Sequence, residues 1–148
     1  MLRRSLLAAA ALALAACAHN PKPQFVAMPG PTARPFSSAV VANGFIFVSG
    51  QLGIDSLGKF PEGGIGPQTK LALENIQAIL AKQGASMSDI VKCTVMLADI
   101  GEWGAMNQEY VKFFPKDPPT RSAFGTSGLA LGGRVEIECL AVVPEKQK

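Results

Sequence analysis

The sequence predicts an α+β domain with the element order ββαβαββ, and three observations carry that prediction. Val40-Val41 and Phe45-Ile46-Phe47-Val48 flank Ala42-Asn43-Gly44, and Asn-Gly accepts the positive φ values of a tight hairpin turn. Two stretches, beginning near Thr69 and Trp103, repeat apolar residues at three and four, as amphipathic helices do. Ile90–Leu97 and Val135–Val143 are apolar, β-branched and alternating, as half-covered strands are. Runs of strand interrupted by two helices argue one sheet with both helices on one face.

The elements follow in order. Residues 1–17 read as a secretory leader: Arg3 and Arg4 form a positive start, and Leu6 to Ala16 is an uncharged Ala/Leu run too short to span a bilayer. It ends in Leu14-Ala15-Ala16-Cys17, which resembles a bacterial lipoprotein signal with Cys17 lipid-modified; simple cleavage at Ala13-Leu14-Ala15 is the rival reading. Residues 18–35 hold five of the eleven prolines (Pro21, Pro23, Pro29, Pro31, Pro35) and read as an extended, semi-rigid tether. The folded domain is expected over 36–148. After the hairpin, Ser49-Gly50-Gln51 ends a strand and Asp55–Gly66 is a loop. Pro67 suits a helix start, and Thr69, Ala72, Leu73, Ile76, Ile79 and Leu80 form one apolar face until Gly84.

In Ile90–Leu97 the residues Val91, Cys93, Val95 and Leu97 are expected to share a face. Asp99 with Glu102 predicts a capping box, and Trp103, Met106, Tyr110 and Phe113 predict a core stripe closed by Pro115. Strands at Arg121–Phe124 and Val135–Val143 complete the domain, joined by a Gly-rich turn.

Charge and cysteine content narrow the function classes. Without Arg3 and Arg4, 12 of the 14 Lys and Arg remain against 11 acidic residues, so no basic stripe is left to suggest nucleic acid. The one histidine, His19, lies beside the lipid site, and no metal-ligand spacing or phosphate-binding glycine pattern occurs. Neither a metal nor a cofactor is expected. Cys93 and Cys139 sit in apolar strand runs and read as free buried thiols; an exported protein could pair them, but the spacing does not say whether they meet.

The candidate chemistry lies near the C-terminus, where Pro118-Pro119-Thr120-Arg121-Ser122 precedes Arg134-Val135-Glu136-Ile137-Glu138. A guanidinium entering one strand and a carboxylate inside a second are expected to face each other across a small cleft. Arginine forks onto a planar carboxylate, and glutamate can hold and polarise a water. Taken singly, each residue has a plainer reading: Arg121 as a surface arginine, Glu136 and Glu138 on the outer face of a strand, Asn107 as a local hydrogen-bonding group, Phe36 as packing.

From about Pro35 to Val143 the chain resembles the Rid (YjgF) family of reactive-intermediate deaminases. The resemblance rests on Phe47-Val48-Ser49-Gly50-Gln51, the helix Gln68–Gly84, Asp89–Val95, Met106–Phe114, Pro119-Thr120-Arg121-Ser122 and Val135–Glu138, in that order and spacing. It implies a chorismate-mutase-like fold, a homotrimer with clefts between subunits, and hydrolysis of 2-imino acids to 2-oxo acids and ammonia. It further implies that Arg121 grips the substrate carboxylate, that Glu136 orients the attacking water, and that Asn107, Ser49 and Gly50 line the cleft. Phe36 and Ala123 hold two more cleft positions but depart from the family pattern. The family Gly-Pro-Tyr is Arg34-Pro35-Phe36 here, its cysteine after the arginine is Ala123, and its Leu-Pro is Leu129-Ala130. The expected partners are a small 2-imino or 2-oxo acid, a membrane through the lipid at Cys17, and further copies of the chain, in the cell envelope. The alternative is a non-catalytic, lipid-anchored trimer that binds a small carboxylate or a protein partner.

Overall fold

The computed structural model describes residues 22–28 and 34–145. The leader, Cys17 and half of the expected tether lie outside them. Six strands form one sheet in the order β1-β2-β3-β6-β4-β5: β1 Gln24–Val26, β2 Ala39–Ala42, β3 Phe45–Leu52, β4 Ile90–Leu97, β5 Thr120–Gly125 and β6 Val135–Val142. Neighbours are antiparallel except β4 and β5, which run parallel because the helix between them returns the chain to the same end. Among the described residues the two α-helices are α1 (Ile65–Lys82) and α2 (Trp103–Tyr110). The α+β class is as the sequence predicts, with one strand more than expected.

Local chemistry explains the ends of these elements. Asn43 (φ 50°) and Gly44 (φ 80°) make the β2–β3 turn with two positive φ values in succession. Pro67 stands in the first turn of α1, where its missing N–H has no helical acceptor to lose. At the other end Gly84 (φ 73°) donates to Ala81 O and Ala85 donates to Leu80 O, a Schellman closure. The buried face of α1 (Ile65, Thr69, Ala72, Leu73, Ile76, Leu80) lies on the alternate residues Ile46, Val48, Cys93, Val95, Leu97, Val135, Ile137, Cys139 and Ala141 of the sheet. Each large aliphatic side chain fully withdrawn from water there contributes about 1.5–3 kcal/mol.

Several expectations are corrected. Gln24–Val26, inside the expected tether, is an edge strand paired with Ala39–Val41. The register slips between Ile90 and Lys92, so Ile90 takes the buried place and Val91 is exposed. Asp99 caps by accepting from Gly101 N, but Glu102 pairs with Arg134 (2.9 Å to Nε) instead of closing a box. A capping box does form, at Ser86 and Asp89. Of the second stripe, Met106 and Tyr110 are buried and Phe113 partly so, whereas Trp103 is exposed. Although β5 and β6 follow each other in the chain, β6 inserts between β3 and β4.

The cysteines are not free thiols: Cys93 and Cys139 form a disulfide. They are register partners on β4 and β6, with Cα atoms 4.1 Å apart and both side chains on the helix face. Strand register, invisible in their separation of 46 residues, brings them together.

Candidate functional site

Arg121 enters β5 after Pro118 and Pro119 and is level with Cys93 of β4, which places it on the helix-covered face at the sheet edge. There it meets one stripe of α2. Its Nη1 donates to Asn107 Oδ1 at 2.8 Å, and its Cζ lies 4.4 Å from the Tyr110 ring centroid and 5.6 Å from that of Trp103. These three residues occupy positions i, i+4 and i+7 of α2, so a single helical face holds the guanidinium. No carboxylate lies within salt-bridge distance of Arg121 among the described residues. Glu109, the acid of α2, pairs with Lys112 instead (2.7 Å).

Its partners are therefore an amide oxygen and two aromatic faces, all neutral. Burial pushes the Tyr110 phenol up to about 12, with Arg121 opposing that rise, so the hydroxyl stays protonated at any physiological pH. That hydroxyl is buried and has no hydrogen-bond partner among the described residues. Beside it opens a cavity of about 300 Å³ lined by Asn107, Tyr110, Val111, Phe114, Pro118, Pro119 and Arg121.

The second group of residues gathers around a bulge in β3. Val48 is level with Cys139 and Gln51 with Ile137, so three steps on β3 match two on β6. The extra residue falls at Ser49-Gly50, as bulges beside functional sites often do. Ser49 is tied down by its Oγ donating to Ser37 O (2.7 Å) and its N–H to Ser38 O (3.0 Å). The Gln51 side chain donates to the Ser49 and Gly50 carbonyls at 2.9 and 3.1 Å. Phe36 is chain neighbour to Ser37 and is exposed. Gly50 leaves room for Glu136: a Cβ there would overlap the Glu136 Oε1 and come within 3.0 Å of its carboxyl carbon. The Glu136 carboxyl is pushed above its ordinary value, by burial first and by Glu138 second.

The structure separates what the sequence reading joined. Glu136 is level with Met96 and Leu52 on the open face of the sheet, whereas Arg121 is level with Cys93 on the helix face. The two strands are also two positions apart, about 10 Å. Within one chain, then, Arg121 and Glu136 do not face each other across a cleft. Asn107 belongs with Arg121, and Ala123 lies two residues further along the same strand face, partly buried against the core. Gly50 lies against Glu136 and Ser49 beside it in the bulge, whereas Phe36 is linked to them only through its chain neighbour Ser37, which accepts from Ser49. Trp103 and Tyr110, read from the sequence as core, are the residues the site reading missed. Their spacing with Asn107 was visible, but nothing local says that Arg121 lies over them. Among the described residues no cluster of three or more His, Cys, Asp or Glu suits a metal.

A six-stranded sheet with its helices on one face defines an α+β, chorismate-mutase-like class of fold. The family model described as "Endoribonuclease L-PSP" matches residues 28–143, and the chain belongs to that family, the Rid (YjgF) proteins. It is 43% identical over 109 residues to the goat (Capra hircus) 2-iminobutanoate/2-iminopropanoate deaminase, covering 73% of this chain and 80% of the relative. It is 41% identical over 110 residues to the Reactive Intermediate Deaminase A, chloroplastic, of Arabidopsis thaliana; that match covers 74% of this chain and 59% of the plant protein. A solved Rid-family structure, YyfA of Yersinia pestis, superposes with a TM-score of 0.75 at 34% identity, covering 82% of this chain and 99% of the other.

Proposed function

We propose that this protein hydrolyses reactive 2-imino acids, such as 2-iminopropanoate, to 2-oxo acids and ammonia. One observation carries the reading: Arg121 is positioned by neutral groups only, so its charge is left for an incoming carboxylate. The relatives named 2-iminobutanoate/2-iminopropanoate deaminase support the substrate class. Their substrates carry a carboxylate next to the imine carbon, which is what a guanidinium fork would hold.

The chemistry asked of the remaining residues is modest. The iminium carbon is already electrophilic, so anchoring its carboxylate and placing a water beside it supplies much of the catalysis. Glu136 takes a proton from that water as oxygen bonds to C2, giving a tetrahedral carbinolamine. Returning that proton to nitrogen makes ammonia the leaving group; as the C–N bond breaks, Glu136 takes the hydroxyl proton and passes it to the departing ammonia, so iminium plus water becomes 2-oxo acid plus ammonium. A carboxyl raised above its ordinary value is better suited to both halves of that transfer.

Because Arg121 and Glu136 lie on opposite faces of one sheet, the reading includes a homotrimer. Each site then takes Arg121 and Asn107 from one copy and Ser49, Gly50, Phe36 and Glu136 from its neighbour. The exposed Phe45, Phe47 and Phe124, on the open face with Glu136, support burial of that face against a second copy. We place the protein in the cell envelope, anchored through lipidated Cys17. The leader-like residues 1–17 and a disulfide suited to an oxidising compartment support this. The family description also names endoribonuclease activity, but a nucleic-acid backbone calls for several cations. The Arg121 cavity offers one, among an amide, aromatic rings and prolines.

The test generates 2-iminopropanoate with an amino-acid oxidase and traps surviving imine with semicarbazide. Wild type is expected to suppress trapping, and Arg121→Ala to lose about 2–5 kcal/mol of that effect through the lost ion pair. If wild type leaves trapping unchanged across several side chains, the site binds carboxylates without turning them over. Phe36 and Ala123, which lack the family hydroxyl and thiol, would then mark what was lost.

A further inference from the structure

Trp103 opens α2 at the position where the apolar stripe calls for a core residue, yet it is 42% exposed. Its neighbour in the stripe, Tyr110, is 4% exposed. Both rings lie within cation–π range of the Arg121 guanidinium, Tyr110 as a buried floor and Trp103 as the wall on the solvent side. Asn107, between them on the helix, takes one N–H. A long arginine at a sheet edge would otherwise sample many rotamers, and ordering it would be charged against every binding event.

We propose that Trp103 is a positioning residue: it holds the Arg121 guanidinium against α2 so that the carboxylate meets an arginine already in its binding rotamer. The proposal rests on the reading of Arg121 as the carboxylate anchor. Trp103 acts through Arg121, so its effect belongs to binding and not to the water attack on C2. Phenylalanine supplies a smaller aromatic face and keeps most of the effect; alanine removes it. The arrangement also provides its own probe, since Trp103 is the chain's one tryptophan and its emission reports on the guanidinium beside it.

The experiment compares wild type, Trp103→Ala, Trp103→Phe and Arg121→Ala. For each, steady-state kinetics on 2-iminopropanoate, binding of the stable carboxylate 2-oxobutanoate by calorimetry, and a melting curve are recorded. Trp103 emission is followed during the titrations of wild type and Arg121→Ala. Trp103→Ala is expected to raise KM and the 2-oxobutanoate Kd by about two- to fivefold, the weight of a half-exposed cation–π contact. Its kcat and melting temperature stay near wild type, Trp103→Phe recovers most of the affinity, and 2-oxobutanoate changes Trp103 emission saturably only when Arg121 is present. Unchanged KM and Kd in Trp103→Ala overturn the proposal while leaving the deaminase reading intact. So does a melting temperature that falls in step with affinity, which marks a merely structural ring. If wild type binds 2-oxobutanoate with these signatures but consumes no imine, the deaminase reading fails and the positioning role stands. If wild type binds no carboxylate, both fall.

Discussion

The two halves of the site are built on opposite electrostatic plans. Around Arg121, an amide oxygen and two rings hold a cation without spending its charge, inside one chain and against a helix. Around Glu136, a carboxylate lies over a glycine on the open face of the sheet, with Glu138 as its charged neighbour and, among the described residues, no hydrogen-bond partner. The first half is held within one chain; the second lies on an open face that also carries exposed aromatic residues. In the proposed trimer, a neighbouring copy would bring the binding group of one chain to the reacting group of the next.

The largest effect tests whether either half survives without the sheet beneath it. The Cys93–Cys139 disulfide lies level with Arg121 on one side and with Val48, just before the bulge, on the other. By loop length alone, Cys93→Ser with Cys139→Ser should cost about 4 kcal/mol of stability, less to the extent that β4–β6 pairing already orders the reduced chain. Urea unfolding of the oxidised protein and the double variant measures it. Equal stability would show that pairing alone holds the row together.

Next comes the division between the halves. Glu136→Gln should lower kcat by about a hundredfold with KM little changed, because the amide cannot take the proton from water. Mixing it with Arg121→Ala after joint refolding should restore about a quarter of wild-type activity, since random assembly pairs an intact arginine copy with an intact glutamate neighbour that often. No recovery from a mixture shown to co-assemble would place both groups in one chain and break the comparison.

A smaller effect separates two glycines. At Gly50 a Cβ meets the far end of Glu136, which can swing aside, so Gly50→Ala should cost about tenfold in kcat and little stability. At Gly53 a Cβ would fall within 2.6 Å of the Gln68 backbone, which cannot move without α1, so Gly53→Ala should lose about 1–3 kcal/mol of stability with the chemistry intact. Assays and melts on both variants read the contrast, and a reversal would mean that Glu136 is held more rigidly than the helix.

The smallest concerns pH. The folded chain binds the Glu136 proton more tightly than the unfolded chain does, because burial and then Glu138 raise its value. Stability therefore falls as pH rises from the ordinary carboxylate value through the raised one, and stays lower above it. Glu136→Gln should melt about one degree higher than wild type at neutral pH, the half-exposed group being screened by water, and the gap should close below about pH 4. A gap that widens toward acid would reverse the sign of the electrostatic account.

What could be read in advance follows from range. The Asn43-Gly44 turn, the face of α1 and its Gly84 stop depend on neighbours a few residues away, and each appears as the sequence suggests. Arg121 and Asn107, 14 residues apart, are joined by tertiary packing, and only the family resemblance had put them in one cleft. Three of the misses are matters of register. Val91 leaves its face because of one slipped residue, Cys93 finds Cys139 because two strands align, and Arg121 parts from Glu136 because β5 and β6 meet β4 one step out of phase. Alternation within a strand shows which residues share a face, but not which face of a neighbouring strand they share. β1 was missed for another reason: three residues among prolines carry too little pattern to register as a strand.

That short strand changes the leash. If Cys17 carries lipid as proposed, only residues 18–23 run between the anchor and Gln24, at most about 25 Å of fully stretched chain. A domain on so short a line stays within one molecular diameter of the bilayer. Three such lines in a trimer would set its threefold axis upright on the membrane and turn each β1 edge toward the lipid. The protein would then draw its substrate from the thin film of solution at the membrane surface, and would serve chiefly those imines released there.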